Sequence, residues 1–387
     1  MKTSIAPLVC ALFALAVVTT ASASESPARP VDGRIVFANS MVQAINQRDM
    51  QALNALINRD ALSDRMASKV TDDLRKHAEL KQQAAKGLDT MLKNFMDALT
   101  RMNAKARFMR LTRRELDIRV LLRADMQGGG FDYLEYIVTA DGAGNYRAID
   151  WYALTGGQLV SDSFGAVFRL MVDPDPGFLK QLMGVQSIDP GVLESIRQLG
   201  VLQRQGKFAE ALASSEKWPP AIRDSKVMRK VRLQLATAAD DTAAYQRIVA
   251  ALDSPTLEDP GDAVMLIDYY FRKQQYPQAL RAIGVVERWS GKDGMTQLMS
   301  ANANCTNKDY ANCIASAQEA IRVEPEMQDP YWVLAQAYAS SKDYPNTAAA
   351  LRTLTQKFQY KFTAASLAKD PVYAGFLKSP EARVFAK

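Results

Sequence analysis

One histidine, His77, serves the whole 387-residue chain, and that sets the limits of its chemistry. A zinc site built on a histidine pair is excluded, and the two cysteines beyond residue 23, Cys305 and Cys313, make a poor metal site with one remote histidine. A serine hydrolase would have to use His77 as its base, with no Gly-x-Ser-x-Gly turn around any serine. No phosphate-binding run of the form Gly-x4-Gly-Lys-Ser/Thr occurs. Gly128-Gly129-Gly130 joins two strand-like runs and opens no helix, so it lacks the dipole that makes an anion site. Asp72-Asp73 and Asp240-Asp241 are adjacent carboxylates, which point apart on a helix and form no acid/base dyad. Carboxylates distant in sequence can still meet in a cleft, as glycosidases require. The expectation is a protein without catalytic residues, metal or cofactor. Cys305 and Cys313 offer one further reaction. A bridge between them would staple two helices, while the competing reading is two small residues buried at a helix contact.

The compartment bears on that choice. Residues 1–23 have the plan of a secretory signal: Lys2, an apolar run from Ile5 to Val18, and Ala21-Ser22-Ala23 as a small-residue cleavage site. Cys10 lies inside the apolar run, too far before the cleavage site for lipid attachment. The expected mature protein is periplasmic or secreted, soluble, and permissive for a disulfide. Its formal net charge of +6 falls to +5 when Lys2 leaves with the signal. That is mild for this length and makes no case for nucleic acid or an anionic membrane. The basic run from Arg101 to Arg114 alternates with apolar residues, as a solvated strand face would.

The second half keeps a fixed period. Phe208, Tyr276, Tyr310 and Tyr344 are separated by 68, 34 and 34 residues, with the one missing beat at Thr242. Each stands three residues before a small residue or its stand-in: Ala211, Ala279, Cys313 and Thr347, with Tyr245 in the skipped unit. Each unit reads as two short helices. In one unit the first helix runs from Ala263 to Arg272. Pro277 starts the second, whose stripe is Ala279, Leu280, Ile283 and Val286. Pro345 repeats the role of Pro277. A period of this size means stacked supersecondary units.

These residues resemble the tetratricopeptide repeat. One unit supplies Ala301, Tyr310, Ala320 and Pro325, the next Tyr331, Ala335, Tyr338 and Tyr344, and the first Gly206, Phe208 and Ala211. The unit around Leu233 to Leu252 matches by spacing. The resemblance covers about residues 192–360. It implies an all-α solenoid of about five units whose first helices line a concave groove for a peptide or protein. Carried over residue by residue, the groove would present Lys230, Gln234, Val264, Asp268, Phe271, Leu298, Asn302, Trp332 and Gln336. Phe271 and Trp332 would be the anchors. Lys230 and Asn302 match in type a clamp for chaperone-tail carboxylates, but Asp268 and Val264 oppose it.

Residues 30–171 follow a different grammar. Phe37 to Leu56 reads as amphipathic helix, and Thr71-Asp72-Asp73 caps a long second one with its stripe from Leu74 to Met102. The period then changes to two at Leu116, Ile118, Val120 and Leu122. Phe131 to Thr139, Tyr146 to Leu154, and Gln158 to Ser161 follow, separated by glycine-rich turns. Helices followed by an antiparallel meander make an α+β domain. The order, and the strand from Asn145 to Tyr152, is similar to the NTF2-like, cystatin-like roll. That resemblance implies a cone between helix and sheet where Glu135, Asp150, Trp151 and Tyr152 would meet a small ligand. Val172 to Gly177, with two prolines, marks a linker over 172–190, and 361–387 would cap the repeats. Two functions follow as expectations. One is an exported scaffold that holds a protein partner in the groove. The alternative is a small-ligand carrier or enzyme built on the roll, with the repeats as an assembly handle.

Overall fold

A computed structural model describes residues 32–114, 117–127, 130–171, 180 and 186–385. Residues 1–31, where a signal is expected, and most of the expected 172–190 linker lie outside the described residues. From Gly33 to Lys387 the chain forms one compact unit.

The first part opens with α1 (Gly33–Gln47), α2 (Met50–Ala55), α3 (Arg59–Ser68) and α4 (Leu74–Arg101). Sequence periodicity ran the first two together. They part where Arg48 takes a left-handed φ of 58° and the Asp49 side chain caps α2. Asp73 caps α4 by accepting from the Arg75 and Lys76 amides, so two of the orphan donors of that first turn are satisfied. Leu80, Ala84, Leu88, Leu92, Met96 and Leu99 are the buried stripe of α4. Leu74, expected to head that stripe, is 86% exposed. The first buried position of the helix is Leu80.

Five strands follow as a meander, each antiparallel to the next: β1 (Lys105–Arg114), β2 (Asp117–Asp125), β3 (Phe131–Ala140), β4 (Tyr146–Ala153) and β5 (Gln158–Leu159). Period-two alternation divides the side chains between two apolar layers. Val120, Leu122, Leu134, Tyr136 and Trp151 share a core with α1 and α4. Leu121, Phe131 and Tyr133 belong to the core of the helical half. The sheet is therefore covered on both faces. The helix α5 (Val160–Met171) leaves the sheet edge.

The helical part comprises α6 (Pro190–Arg204), α7 (Phe208–Ser215), α8 (Pro220–Arg223), α9 (Lys226–Ala238), α10 (Thr242–Ala250), α11 (Pro260–Arg272), α12 (Tyr276–Ser290), α13 (Gly294–Thr306), α14 (Tyr310–Val323), α15 (Asp329–Ser340) and α16 (Tyr344–Phe358). From α9 onward each helix packs on the next. Every 34-residue beat, Thr242 included, is the first residue of a helix. Two residues before each beat, Gly206, Asp240, Gln274, Lys308 and Lys342 hold positive φ angles of 72°, 55°, 57°, 62° and 63°. This left-handed residue ends the preceding helix and turns the chain into the next. Ala211, Ala279, Cys313 and Thr347 are fully buried. In the skipped unit the buried place falls to Ala244, at 1% exposure, and not to Tyr245. The chain ends in α17 (Ala364–Leu367) and three short 3-10 turns that bury Tyr373, Phe376 and Phe385. Among the described residues no helix is long and apolar enough to cross a membrane.

Candidate functional site

One face of α9 is left open. Val227, Lys230, Val231, Gln234, Thr237 and Ala238 recur at helical spacing and form one wall of a cleft of about 500 Å³. Thr155, Gly156 and Gln158 of the β4–β5 turn, Ser163 of α5 and Met265 of α11 form the rest with Leu233. The turn is held against the helices by close backbone packing. A Cβ on Gly261, at the start of α11, would lie 2.6 Å from the Leu154 carbonyl oxygen, so only glycine allows this approach. Lys230 Nζ donates to the Gly156 carbonyl at 2.7 Å and ties α9 to the same turn. Among the described residues no carboxylate lines this cleft. Its chemistry is an apolar floor with neutral amides and hydroxyls and one ammonium, that of Lys230.

Thr237 also borders a second hollow of about 240 Å³, where Asp240, Asp241, Tyr245, Asp268 and Arg272 meet. Asp241 accepts from the Ala244 amide as the cap of α10, and Asp268 pairs with Arg272 at 2.7 Å. The two hollows meet at Thr237 of α9, the first carrying the Lys230 ammonium and the second three carboxylates against Arg272.

Most of the other groove positions have partners within the chain. Leu298 is buried. Trp332 packs edge-on against Tyr360 and Phe362, with ring centroids 5.0 and 5.3 Å away. Gln336 Nε2 reaches Asp370 at 3.4 Å. Phe271 packs on Tyr276, and Val264 packs against the core while remaining half-buried. Asn302 is exposed. The structure brings Lys230 and Gln234 into one cleft, with Asp268 in the adjoining hollow, and leaves the rest apart from them.

The four residues expected in a cone do not converge. Trp151 faces α4 and stacks near Phe95 and Tyr136. Tyr152 lies on the opposite face of β4 against Trp289 of α12. Glu135, 1% exposed, is filled by the Arg114 guanidinium at 2.8 Å, Arg119 at 3.2 Å and the Thr112 hydroxyl at 2.7 Å. Asp150 is occupied by Arg65 and by the hydroxyl and amide of Ser161. A cavity does exist between α4 and the sheet, about 320 Å³, lined by Met91, Phe95, Met102, Met126, Leu134 and Trp151 among others. Its carboxylate is Asp132. Burial pushes that group up to about 6, against the opposing pull of hydrogen bonds from the Thr155 hydroxyl, the Thr155 amide and the Tyr133 amide.

The basic strand β1 is not the solvated face its alternation suggested. Arg114 Nη2 donates to the Trp289 carbonyl and its guanidinium lies 4.7 Å above the Trp289 ring. Arg110 occupies the space where a Cβ on Gly291 would stand, 1.7 Å from Nη1, and Gly291 also holds a left-handed φ of 77°. Beside it Arg123, with no exposed surface, holds Glu324 through two bonds of 2.6 and 2.8 Å, Asp125 at 2.6 Å and Asp293 at 3.2 Å. The Tyr133 hydroxyl donates to Asp293. Burial works against the charged form of Glu324, but Arg123 outweighs it and holds the carboxyl below its usual range. This group binds the sheet to the ends of α13 and α14. It is a fastening, with every acid committed.

Cys305 and Cys313 are joined by a disulfide between α13 and α14. His77 Nε2 lies 3.2 Å from the Ser68 hydroxyl and 3.8 Å from Asp64. In a triad the two ring nitrogens divide between nucleophile and acid. Here both neighbours sit on the same nitrogen, so this is not relay geometry. Among the described residues no group of three or more His, Cys, Asp or Glu is placed to hold a metal ion.

Compared with protein-family models, curated proteins and solved structures, the chain matches none of them.

Proposed function

We propose that the protein is an exported, non-catalytic scaffold that holds an extended peptide segment of a partner protein in the cleft along α9. In this reading the helical half is a tetratricopeptide-type solenoid and the first half an NTF2-like roll that supplies the far wall. The recurrence of helix starts and left-handed turns every 34 residues supports the first of these. The open face of α9 carries the proposal. Neutral amides and hydroxyls at Gln158, Gln234 and Thr237 suit the N–H and C=O groups of a peptide main chain. Val227, Val231 and Met265 suit apolar side chains of the same segment. Asp240 and Asp268 in the adjoining hollow call for a basic residue at one end.

The test starts from a displayed random-peptide library selected on the mature protein, followed by fluorescence polarisation with the recovered peptides. The selected sequences should pair apolar residues with a lysine or arginine at one end. Val231→Asp combined with Gln234→Arg should weaken them about tenfold or more, as expected for losing an apolar contact and a hydrogen bond in a desolvated site. Asn302→Arg, on an exposed groove position outside the cleft, should leave affinity unchanged. Equal affinity in all three proteins would sink the α9 cleft as the working site.

A further inference from the structure

On the other side of α9 lies a hollow built from arginines. Arg223 of α8, Arg229 and Arg232 of α9, and Arg247 of α10 border about 230 Å³ together with Glu216 and Asp224. Arg229 and Arg232 are three apart on one helix and so share a face. The two acids form their ion pairs with two of the arginines, and Arg229 acts on Asp224 through its charge without an ion pair. Asp224 pairs with Arg223 at 2.8 Å, and Arg232, 5% exposed, reaches Glu216 at 2.6 Å and Asp224 at 3.3 Å. Among the described residues no carboxylate stands within ion-pair distance of Arg229 or Arg247. The Nε atoms of Arg229 and Arg232 are buried and without a hydrogen-bond partner. Four guanidinium groups against two carboxylates leave an excess of two positive charges around one hollow.

We infer that this hollow is a site for a tetrahedral dianion, phosphate or sulfate, free or as the end of an ester. Such a ligand would balance the excess charge. It would also meet planar guanidinium forks whose geometry matches two oxygens at a time. Arg232 is fixed by its acids, which leaves Arg229 and Arg247 to close on the ligand from two helices. The site lies between α9 and α10, away from the residues of the peptide cleft, and does not depend on that reading.

Isothermal titration of the mature protein with inorganic phosphate, inorganic sulfate and glycerol 2-phosphate, at ionic strength matched with sodium chloride, tests the site. The wild type should bind at least one of them saturably with one site per chain, and the tightest of the three identifies the source. Arg229→Gln with Arg247→Gln should bind about tenfold weaker or worse, from two lost charge-assisted bonds. Arg247→Gln alone, an exposed change with no effect on packing, should show part of that loss. Arg352→Gln with Lys361→Gln removes the same charge elsewhere and should bind like the wild type. No saturable heat with any of the three anions, or equal affinity in the wild type and the Arg229/Arg247 variant, would overturn the inference.

Discussion

Two charged groups show how differently single residues are treated in this molecule. Arg123 lies wholly inside and meets three carboxylates, so its charge is compensated where it sits. Asp132 borders an apolar cavity, with only neutral donors against it, and its carboxyl rises to about 6. The folded state therefore holds that proton more tightly than the unfolded chain, where the value is near 3.8. The stabilisation from the protonated form is complete below about pH 4 and is lost as pH rises through about 6. Asp132→Asn should abolish this dependence. Melting temperatures of wild type and variant across pH 4–7 check it. The difference between the two proteins should move against the wild type with rising pH, and a flat difference would show that Asp132 is unperturbed.

The element that concentrates the tertiary fastening is the hairpin of α13 and α14. At its turn the Cys305–Cys313 bridge joins the helices, and at its open end Asp293 and Glu324 grip Arg123. A bridge closing eight residues should contribute about 2 kcal/mol by restricting the unfolded chain. Urea titration of Cys305→Ser with Cys313→Ser, beside oxidised and reduced wild type, should show that loss in the variant and in the reduced protein alike. Indistinguishable midpoints would mean the thiols are unbridged in solution. The helices themselves were legible, because a 34-residue beat and a capping aspartate are local signals. The alternation of β2, β3 and β4 was equally local. What covers a face was not. The arginines of β1 read as solvated because alternation says which residues share a face and nothing about what packs there. Trp332 read as an open anchor because repeat spacing does not report that Tyr360 and Phe362 return to cover it. The pairs Tyr133–Asp293 and Arg123–Glu324 span 160 and 201 residues and leave no trace in any window. Of the candidate cleft, only Lys230, Gln234 and the neighbouring Asp268 were legible, since its far wall comes from the β4–β5 turn.

At the scale of the molecule, the boundary drawn near residue 172 separates two grammars but not two bodies. The sheet contributes one face to each core, and Trp289 shows what that sharing requires. It is clasped between Tyr133 and Tyr152, ring centroids 5.9 and 5.5 Å away, under the Arg114 guanidinium. Separating the halves would expose Tyr133 and Leu121, take both arginine partners from Glu324 and leave Arg123 with Asp125 alone, a cost neither half can recover alone. The described unit should therefore unfold in one transition, with calorimetric and van't Hoff enthalpies equal. Trp289→Ala, at a partly buried position, should lower stability by about 2–3 kcal/mol and shift that transition as a whole. Hydrogen exchange gives the decisive readout. In Trp289→Ala the amides of β3 and of α12 should lose protection by the same factor, because global unfolding is the event that opens both. Two calorimetric peaks, or loss confined to α12, would show that the sheet half stands without the helices.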